Sequence, residues 1–199
     1  MLAERKTSTV DWDGGAMFGY ELGDGAVLGP LEPWHADQFA AAIERARAHL
    51  APWMPFAHTV VDVESARQML HTLAVEHAND TRHNHGIWLD ATLVGGIMFI
   101  HFNTASGVCE LGGVWLDPAA EGRGLITRAA RRLIDWAIRE RGMFRVEWRH
   151  DPGNARSRAV PERLGMTHEG SLRSDFVVAN GVRQDTEVWG ILAPEWRAG

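Results

Sequence analysis

The chain has 199 residues, of which 45% are hydrophobic and 23% are charged, values typical of a soluble globular protein with one domain or one domain plus an extension. A formal charge of −6 argues against a nucleic-acid partner, because a polyanion would be repelled. The single cysteine, Cys109, excludes an internal disulfide, and no apolar run approaches the roughly 20 residues of a membrane span. We therefore expect a cytoplasmic protein with no membrane and no nucleic-acid partner.

The N-terminal part of the chain predicts an arm and then two helices. Residues 1–16 are polar and aperiodic, which indicates an arm that is disordered or packs on a partner subunit, and residues 17–199 are expected to form one domain. Apolar residues recur at helical spacing from Asp37 to Leu50, and Asp62 is a favoured cap for a second helix. A loop rich in proline and aromatic residues separates the two helices.

The remainder of the chain predicts a mixed sheet. The expected elements are an antiparallel meander (His85–Leu89, Leu93–Phe102, Cys109–Leu116), a helix from Leu125 to about Arg141, a strand Phe144–Arg149, a helix Asn154–Leu164, and a hairpin (Thr167–Val178, Val182–Leu192) with an Asn180–Gly181 turn. A strand, a long helix and another strand form a parallel crossover, so parallel and antiparallel pairs should share one sheet.

The segment from Asp117 to Leu125 joins a strand to a helix and carries glycines at positions 122 and 124. Glycines allow a ligand to approach the backbone closely, and the turn directs N–H groups and a helix N terminus to one point, which suits a diphosphate. A plain turn is the alternative interpretation. The segment is neither a Walker loop, which needs G-K-[ST], nor a dinucleotide fingerprint, since Thr127 stands where that pattern has Gly or Ala.

This loop and two further segments sharpen this interpretation. They are Leu50-Ala-Pro-Trp-Met-Pro-Phe56, then Trp115-Leu116-Asp117 followed by Glu121-Gly-Arg-Gly-Leu125 and Thr127, and finally Asn154-Ala-Arg-Ser157 followed by Val160, Glu162 and Leu164-Gly-Met-Thr-His-Glu-Gly170. In this order they resemble the GNAT N-acetyltransferases, within them the RimJ/RimL branch of N-terminal acetyltransferases, over about Phe18 to Trp196.

The resemblance implies an α+β fold. Its central sheet is mixed but mostly antiparallel, has six to seven strands, splays between its fourth and fifth strands, and is flanked by about four helices. Acetyl-CoA lies in the wedge between those two strands, and an amine attacks the thioester directly. Dimerisation follows from the resemblance alone.

The resemblance also implies which residues hold acetyl-CoA. They are Leu116, Ala119, Ala120, Glu121, Gly122, Arg123, Gly124, Leu125, Ile126, Thr127, Asn154 and Ser157, with the N–H groups of Ala119 to Gly124 on the diphosphate. Ala119 stands where the superfamily usually has Gln or Arg, so backbone N–H groups have to hold the diphosphate without that side chain. The matching serine, Ser157, is the proposed general acid, and the only tyrosine, Tyr20, is too far N-terminal to compete. Capping of the following helix is the alternative role for Asn154 and Ser157.

Glu110 is the candidate general base. The branch typically reads E-I-G-Y-W-L here, whereas this chain has one extra residue between Glu110 and Trp115. An insertion turns Glu110 to the other face of the sheet unless a β-bulge absorbs it, and the adjacent Gly112 and Gly113 favour such a bulge. A surface carboxylate is the alternative.

The acceptor is expected to be an amine of low pKa. Deprotonation near pH 7 costs about 4 to 5 kcal/mol for a lysine-type amine and about 1 kcal/mol for an α-amine, which favours a peptide N terminus. The resemblance places Trp53 and Phe56 on the acceptor side of the site, and the alternative is that they belong to the hydrophobic core. Asp175 lies on the hairpin that is expected to close the cleft and is a candidate contact for a cationic amine. The alternatives are a small-molecule amine such as an antibiotic or polyamine, another acyl-CoA such as succinyl-CoA, and a non-catalytic CoA-binding module.

Two other chemistries are disfavoured. Among ten histidines the closest pair is His83 and His85, with no H-E-x-x-H spacing, so we expect no metal site. No histidine is placed to activate Cys109, which is expected to be a buried small apolar residue rather than a nucleophile.

Overall fold

A computed structural model describes residues 8–12, 15–177 and 181–197. The strands are β1 (Ser8–Trp12), β2 (Gly15–Gly23), β3 (Ala26–Pro30), β4 (His83–Leu89), β5 (Thr92–Asn103), β6 (Val108–Leu116), β7 (Arg145–His150), β8 (Thr167–Val177) and β9 (Arg183–Leu192). The helices are α1 (Ala36–Leu50), α2 (Phe56–Thr59), α3 (Val63–Ala78), α4 (Leu125–Arg139) and α5 (Ala155–Leu164).

The strands pair in the order β1-β2-β3-β4-β5-β6-β7-β9-β8. Every pair in this sheet is antiparallel except β6 with β7, which α4 connects as a crossover. The parallel pairing holds for only three residue pairs, ending at Glu110 opposite Glu147, after which the two strands diverge. The expected mixed, mostly antiparallel sheet is confirmed, and the diverging strands β6 and β7 correspond to the predicted strands Cys109–Leu116 and Phe144–Arg149.

The described residues contain nine strands, two more than the upper end of the six to seven expected. The additional pair is β1 and β2, whose backbones form a hairpin at one edge of the sheet. Part of the predicted arm, residues 8–12 and 15–16, is therefore strand, whereas residues 1–7 and 13–14 lie outside the described residues. The predicted Asn180–Gly181 turn falls partly on residues 178–180, which also lie outside them.

The predicted helices form for the expected local reasons. Asp62 caps α3 by accepting a hydrogen bond of 2.8 Å from the Ser65 N–H. The αL residue Gly165 ends α5 with φ of +73°, a conformation that costs glycine little. No helix among the described residues is long and apolar enough to cross a membrane.

The sheet separates two apolar cores. On the α4 face, α4 packs its Leu125, Ala129 and Leu133 stripe on strand residues that include Leu111 and Trp148. On the opposite face, the α1 face, Phe39 and Ile43 of α1 join Trp88 and Trp115 of the sheet. The helices α1 and α3 lie over β4 and β5. Alternation along a strand therefore decides which side of the molecule each β6 residue reaches.

The predicted bulge is present in β6. Pairing with β5 is regular at Gly96 opposite Trp115, but Met98 then stands opposite Gly112, so β6 carries one extra residue in this interval. Gly113 adopts φ of +57°, a left-handed conformation that most residues avoid. With this extra residue absorbed, Glu110 points to the same face as Trp115, the α1 face.

A second bulge lies in β5, two residue pairs further along the ladder. Phe99 stands opposite Leu111, and His101 then stands opposite Glu110, so Ile100 is the extra residue. The two insertions, one on each strand, cancel, because beyond His101 the original register returns. His101 and Glu110 thus lie side by side on the α1 face.

We predict that Gly113→Ala destabilises the protein more than Gly142→Ala. Both glycines have positive φ, +57° and +67°, so each alanine costs about 1–2 kcal/mol from the backbone. An added Cβ at Gly113 would also meet Met98 Cγ at 2.6 Å, whereas nothing lies within 4 Å of one at Gly142. Urea unfolding measures both free energies, and equal losses would show that Met98 moves aside without cost.

Candidate active site

The loop between β6 and α4 is shaped by Asp117. Its carboxylate accepts a hydrogen bond of 3.0 Å from the Ala119 N–H, and its carbonyl accepts one of 2.9 Å from the Ala120 N–H. The Glu121 N–H donates to the Pro118 carbonyl. The turn itself therefore engages the first three of the N–H groups, from Ala119 to Gly124, that the resemblance assigns to the diphosphate.

The free donors begin at Gly122. Within the described part of the chain, the N–H groups of residues 122–127 have no acceptor, and the first helical bond of α4 runs from Arg128 to the Gly124 carbonyl. Gly122 and Gly124 have φ of +77° and +69°, with open space where a Cβ would stand. Free N–H groups at a helix N terminus suit an anion, so this loop fits the diphosphate of acetyl-CoA.

Two side chains outside the motif support the loop. Arg45 of α1 donates from Nε to Asp117 Oδ2 at 3.0 Å and from Nη2 to the Leu93 carbonyl at 2.8 Å. Glu121 is 3.0 Å from His49 Nε2 of α1 and 3.2 Å from Arg156 Nη1 of α5. Glu121 thus bridges α1, which packs on the α1 face of the sheet, and α5, which packs on the α4 face. No signal in the sequence identified these partners, which are distant along the chain.

Asn154 and Ser157 lie at the start of α5, as predicted. Asn154 Oδ1 accepts a hydrogen bond of 3.0 Å from the Ser157 N–H, so the capping role is real. The Ser157 hydroxyl has a further contact, because its Oγ accepts a hydrogen bond of 3.1 Å from the indole Nε1 of Trp148. Ser157 therefore lies on the α4 face, beside the point where β7 leaves β6.

Glu110 lines an open cavity of about 620 Å³ on the α1 face. The lining residues are Arg82, Ile100, His101, Ser106, Val108, Glu110, Glu147 and Arg149. The side chain of Glu110 is only 20% exposed, and its nearest cation is Arg149, with Nε 3.8 Å from Oε2. Burial raises the pKa of Glu110, and the charge of Arg149 offsets only part of that rise. Glu110 is therefore a stronger base than an exposed glutamate.

The neighbouring carboxylate, Glu147, has the opposite character. Burial opposes its charge, but hydrogen bonds of 2.7 Å from Arg145 and 2.8 Å from Arg149 outweigh that effect and hold the pKa of Glu147 below its usual value. Arg145 in turn binds both carboxylate oxygens of Glu169 on β8. The alternating charges of Arg145-Val-Glu-Trp-Arg149 were a period-two signal that could have identified this charged face.

The three predicted acceptor residues lie in different surroundings. Phe56 packs in the α1-face core, with ring centroids 6.1 Å from Phe39 and 6.5 Å from Trp115. Trp53 is 48% exposed, and neither it nor Phe56 lines the cavity. Asp175 on β8 is exposed, and its charge helps to raise the pKa of Arg149, so it lies near the cavity.

Cys109 is fully buried on the α4 face. Burial, together with the charge of Glu147, raises the pKa of its thiol to about 12. A thiol with that pKa is a poor nucleophile near neutral pH, which agrees with the expectation of direct transfer. Among the residues that the structure describes, no group of three or more His, Cys, Asp or Glu side chains is arranged to hold a metal ion.

Comparison with known proteins decides the family. The family described as "Acetyltransferase (GNAT) domain" matches residues 27–167, well over half of the chain. The chain belongs to the GNAT acetyltransferase family. A Bacillus subtilis (strain 168) protein named "Putative ribosomal N-acetyltransferase YdaF" is 30% identical over 181 residues, which is 90% of this chain and 98% of the relative.

Solved GNAT structures agree with this assignment. One named "Crystal structure of Probable acetyltransferase" has a TM-score of 0.81 at 30% identity and covers 90% of this chain and 99% of its own. The RimL ribosomal L7/L12 acetyltransferase in complex with CoA has a TM-score of 0.80 at 18% identity, covering 86% of this chain and 96% of its own, and shows the shared fold. The resemblance to the GNAT enzymes is confirmed, and with it the class of acetyl-CoA-dependent N-acetyltransferases.

We predict opposite stability effects for Glu110→Gln and Glu147→Gln in this GNAT domain. A folded pKa raised above the unfolded value means that the charge of Glu110 costs stability at neutral pH, so Glu110→Gln stabilises there and the gain vanishes as pH falls below the unfolded pKa. The depressed pKa of Glu147 means that Glu147→Gln destabilises at neutral pH, and this loss shrinks as pH falls through the folded pKa.

Urea unfolding from about pH 3 to pH 8 measures both effects. The two residues stand opposite each other in the β6–β7 pair, so each variant is the matched control for the other. Loss of stability in Glu110→Gln at neutral pH would contradict the assignment of Glu110 as a carboxylate whose ionisation opposes folding.

Proposed function

We propose that this GNAT enzyme transfers the acetyl group of acetyl-CoA to the α-amine of a protein or peptide N terminus, with Ser157 as general acid and Glu110 as general base. The supporting observation is the opening between β6 and β7. Glu110, the last β6 residue paired with β7, lines the cavity on the α1 face, and Ser157 contacts Trp148, the first β7 residue beyond that pairing, on the α4 face. An amine that enters from one face can thus meet a thioester held from the other.

The donor site comprises the residues implied by the resemblance, with one change. The free N–H groups of residues 122–127 hold the diphosphate, whereas the N–H groups of Ala119, Ala120 and Glu121 close the turn that precedes them. Leu116 ends β6 beside the cleft, and Asn154 and Ser157 face it from the start of α5. When bound, acetyl-CoA supplies the activated acyl group.

The side chains divide the proton chemistry between them. Glu110, with its raised pKa, accepts a proton from the incoming ammonium directly or through water. Ser157 donates a proton to the departing sulfur. Because deprotonation of an α-amine near pH 7 costs about 1 kcal/mol, against about 4 to 5 kcal/mol for lysine, one moderately strengthened carboxylate suffices for an N terminus.

The acceptor side supports a polypeptide substrate. The cavity is open, and its lining contains two arginines and two glutamates (Arg82, Arg149, Glu110 and Glu147). It is therefore not a purely anionic pocket of the kind that suits a polycation. Asp175 lies near Arg149 at its rim, and Trp53 offers an exposed aromatic surface. The Bacillus subtilis relative is named for a ribosomal N-acetyltransferase, which favours a protein acceptor.

We further propose that the enzyme acts in the cytoplasm as a homodimer and that residues 17–199 form its single catalytic domain. The family match over residues 27–167 and the continuous sheet from β2 to β9 support the domain proposal. The named relatives support a site of action where ribosomal proteins are made.

Thiol release from acetyl-CoA tests the function. We expect release with N-terminal peptides and little or none with lysine peptides, polyamines or aminoglycosides. Ser157→Ala should lower kcat by about 100-fold or more, a much larger effect than on CoA binding, since general acid catalysis contributes about 10² to 10⁴. Release with only a small-molecule amine, or with only succinyl-CoA as donor, would overturn the acceptor or donor proposal, and CoA binding without turnover would indicate a binding module.

A further inference from the structure

Trp148 is a buried side chain whose polar atom faces the proposed acid. It lies in β7 and is 1% exposed, packed in the α4-face core with Val160 and Leu164 of α5. Its only polar atom, Nε1, donates to Ser157 Oγ at 3.1 Å. The resemblance to the GNAT enzymes assigns no role to this position.

The chemistry of this hydrogen bond sets the direction of the serine hydroxyl. An indole N–H can only donate, so Ser157 Oγ must be the acceptor in this pair. The serine proton is therefore left to point elsewhere, away from the indole. Asn154 fixes the other end of the residue by accepting from the Ser157 N–H at 3.0 Å. Ser157 is thus held at its backbone and at its oxygen, with its proton free to donate.

We propose that Trp148 is a positioning residue that orients the Ser157 hydroxyl and strengthens it as an acid. This inference rests on the proposed function. As the amine nitrogen bonds to the acyl carbon and the carbon–sulfur bond breaks, Ser157 gives its proton to the sulfur and later regains one from water. Negative charge builds on Oγ in that step, and a hydrogen bond to the charged form of a group favours its ionisation. The Trp148 N–H supplies that bond without further movement.

Trp189 provides a matched control. It stands directly opposite Trp148 on β9, and its indole Nε1 donates to His150 Nε2 at 3.0 Å rather than to Ser157. Replacing either tryptophan by phenylalanine removes one indole N–H from the same layer of the sheet. Only the Trp148 variant removes the bond to Ser157.

The first experiment compares steady-state kinetics of Trp148→Phe and Trp189→Phe. We expect Trp148→Phe to lower kcat about tenfold or more with the KM for acetyl-CoA within about twofold, as for loss of a hydrogen bond to a developing charge. Trp189→Phe should leave kcat within about twofold. In the Ser157→Ala background Trp148→Phe should cause no further loss, because the group on which it acts is gone.

The contrary outcomes are distinct. An unchanged kcat in Trp148→Phe would overturn the proposal. The proposal would also be overturned if Trp148→Phe lowered kcat by the same factor in the wild-type and the Ser157→Ala proteins. Equal factors would mean that the two substitutions act independently, as a general packing effect of Trp148 would.

A second experiment avoids any variant of Trp148. The indole N–H signals of the nine tryptophans are assigned by NMR in the wild-type protein and in Ser157→Ala. We expect the Trp148 signal to shift most and the Trp189 signal to stay in place. Absence of a Trp148 shift would show that the hydrogen bond does not exist. If the shift occurs but Ser157→Ala retains full activity, the contact stands, and the acid role of Ser157 and the Trp148 role that depends on it both fail.

Discussion

The early divergence of β6 and β7 is the constraint on which the rest of the site depends. Parallel strands in a sheet normally satisfy each other's backbone groups along their length, yet here only three residue pairs do so. The bulge at Gly113 lies just beyond the last paired residue, Glu110, and a bulge bends its strand and increases its twist. The resulting gap reaches from one face of the sheet to the other, so that chemistry on the two faces can meet.

The same strands that open the gap also set the electrostatics on either side of it. Glu110 and Glu147 are directly opposite each other, but Glu147 takes the hydrogen bonds of two arginines, whereas Glu110 keeps one cation at 3.8 Å. Burial disfavours the charge of both carboxylates, and the nearby charge of Glu147 adds to the rise in the pKa of Glu110. Hydrogen bonds from Arg145 and Arg149 favour the ionised form of Glu147. Glu110 is therefore the carboxylate of the pair that takes a proton more readily.

Much of this arrangement could be predicted from the sequence. Helix positions, the mixed sheet, the cap at Asn154 and the bulge near Gly113 follow from local patterns, because they depend on residues close together along the chain. The occupied N–H groups of Ala119 to Glu121 were in principle predictable too, since an Asp-Pro pair favours a turn in which the aspartate accepts from the backbone.

What could not be predicted depends on which elements become neighbours. The contacts of Glu121 with His49 and Arg156 join three segments, and the contact of Trp148 with Ser157 depends on how α5 folds back on β7. The strands β1 and β2 were missed for different reasons. The strand β1 lies in the short polar segment that was predicted to be an arm, whereas the alternation of Phe18, Tyr20 and Leu22 in β2 was a period-two signal that could have identified a strand.

The paired bulges in β5 and β6 also bear on how this strand pair can change its length. Since Ile100 and Gly113 cancel each other's offset, they form a single unit of two residues on different strands. Loss of either residue alone would leave the ladder one step out of phase, whereas loss of both would restore a regular ladder with Glu110 still on the α1 face. An extra residue in one strand of such a pair should therefore be considered together with the extra residue in the partner strand. This applies both to redesign and to comparison of diverged relatives.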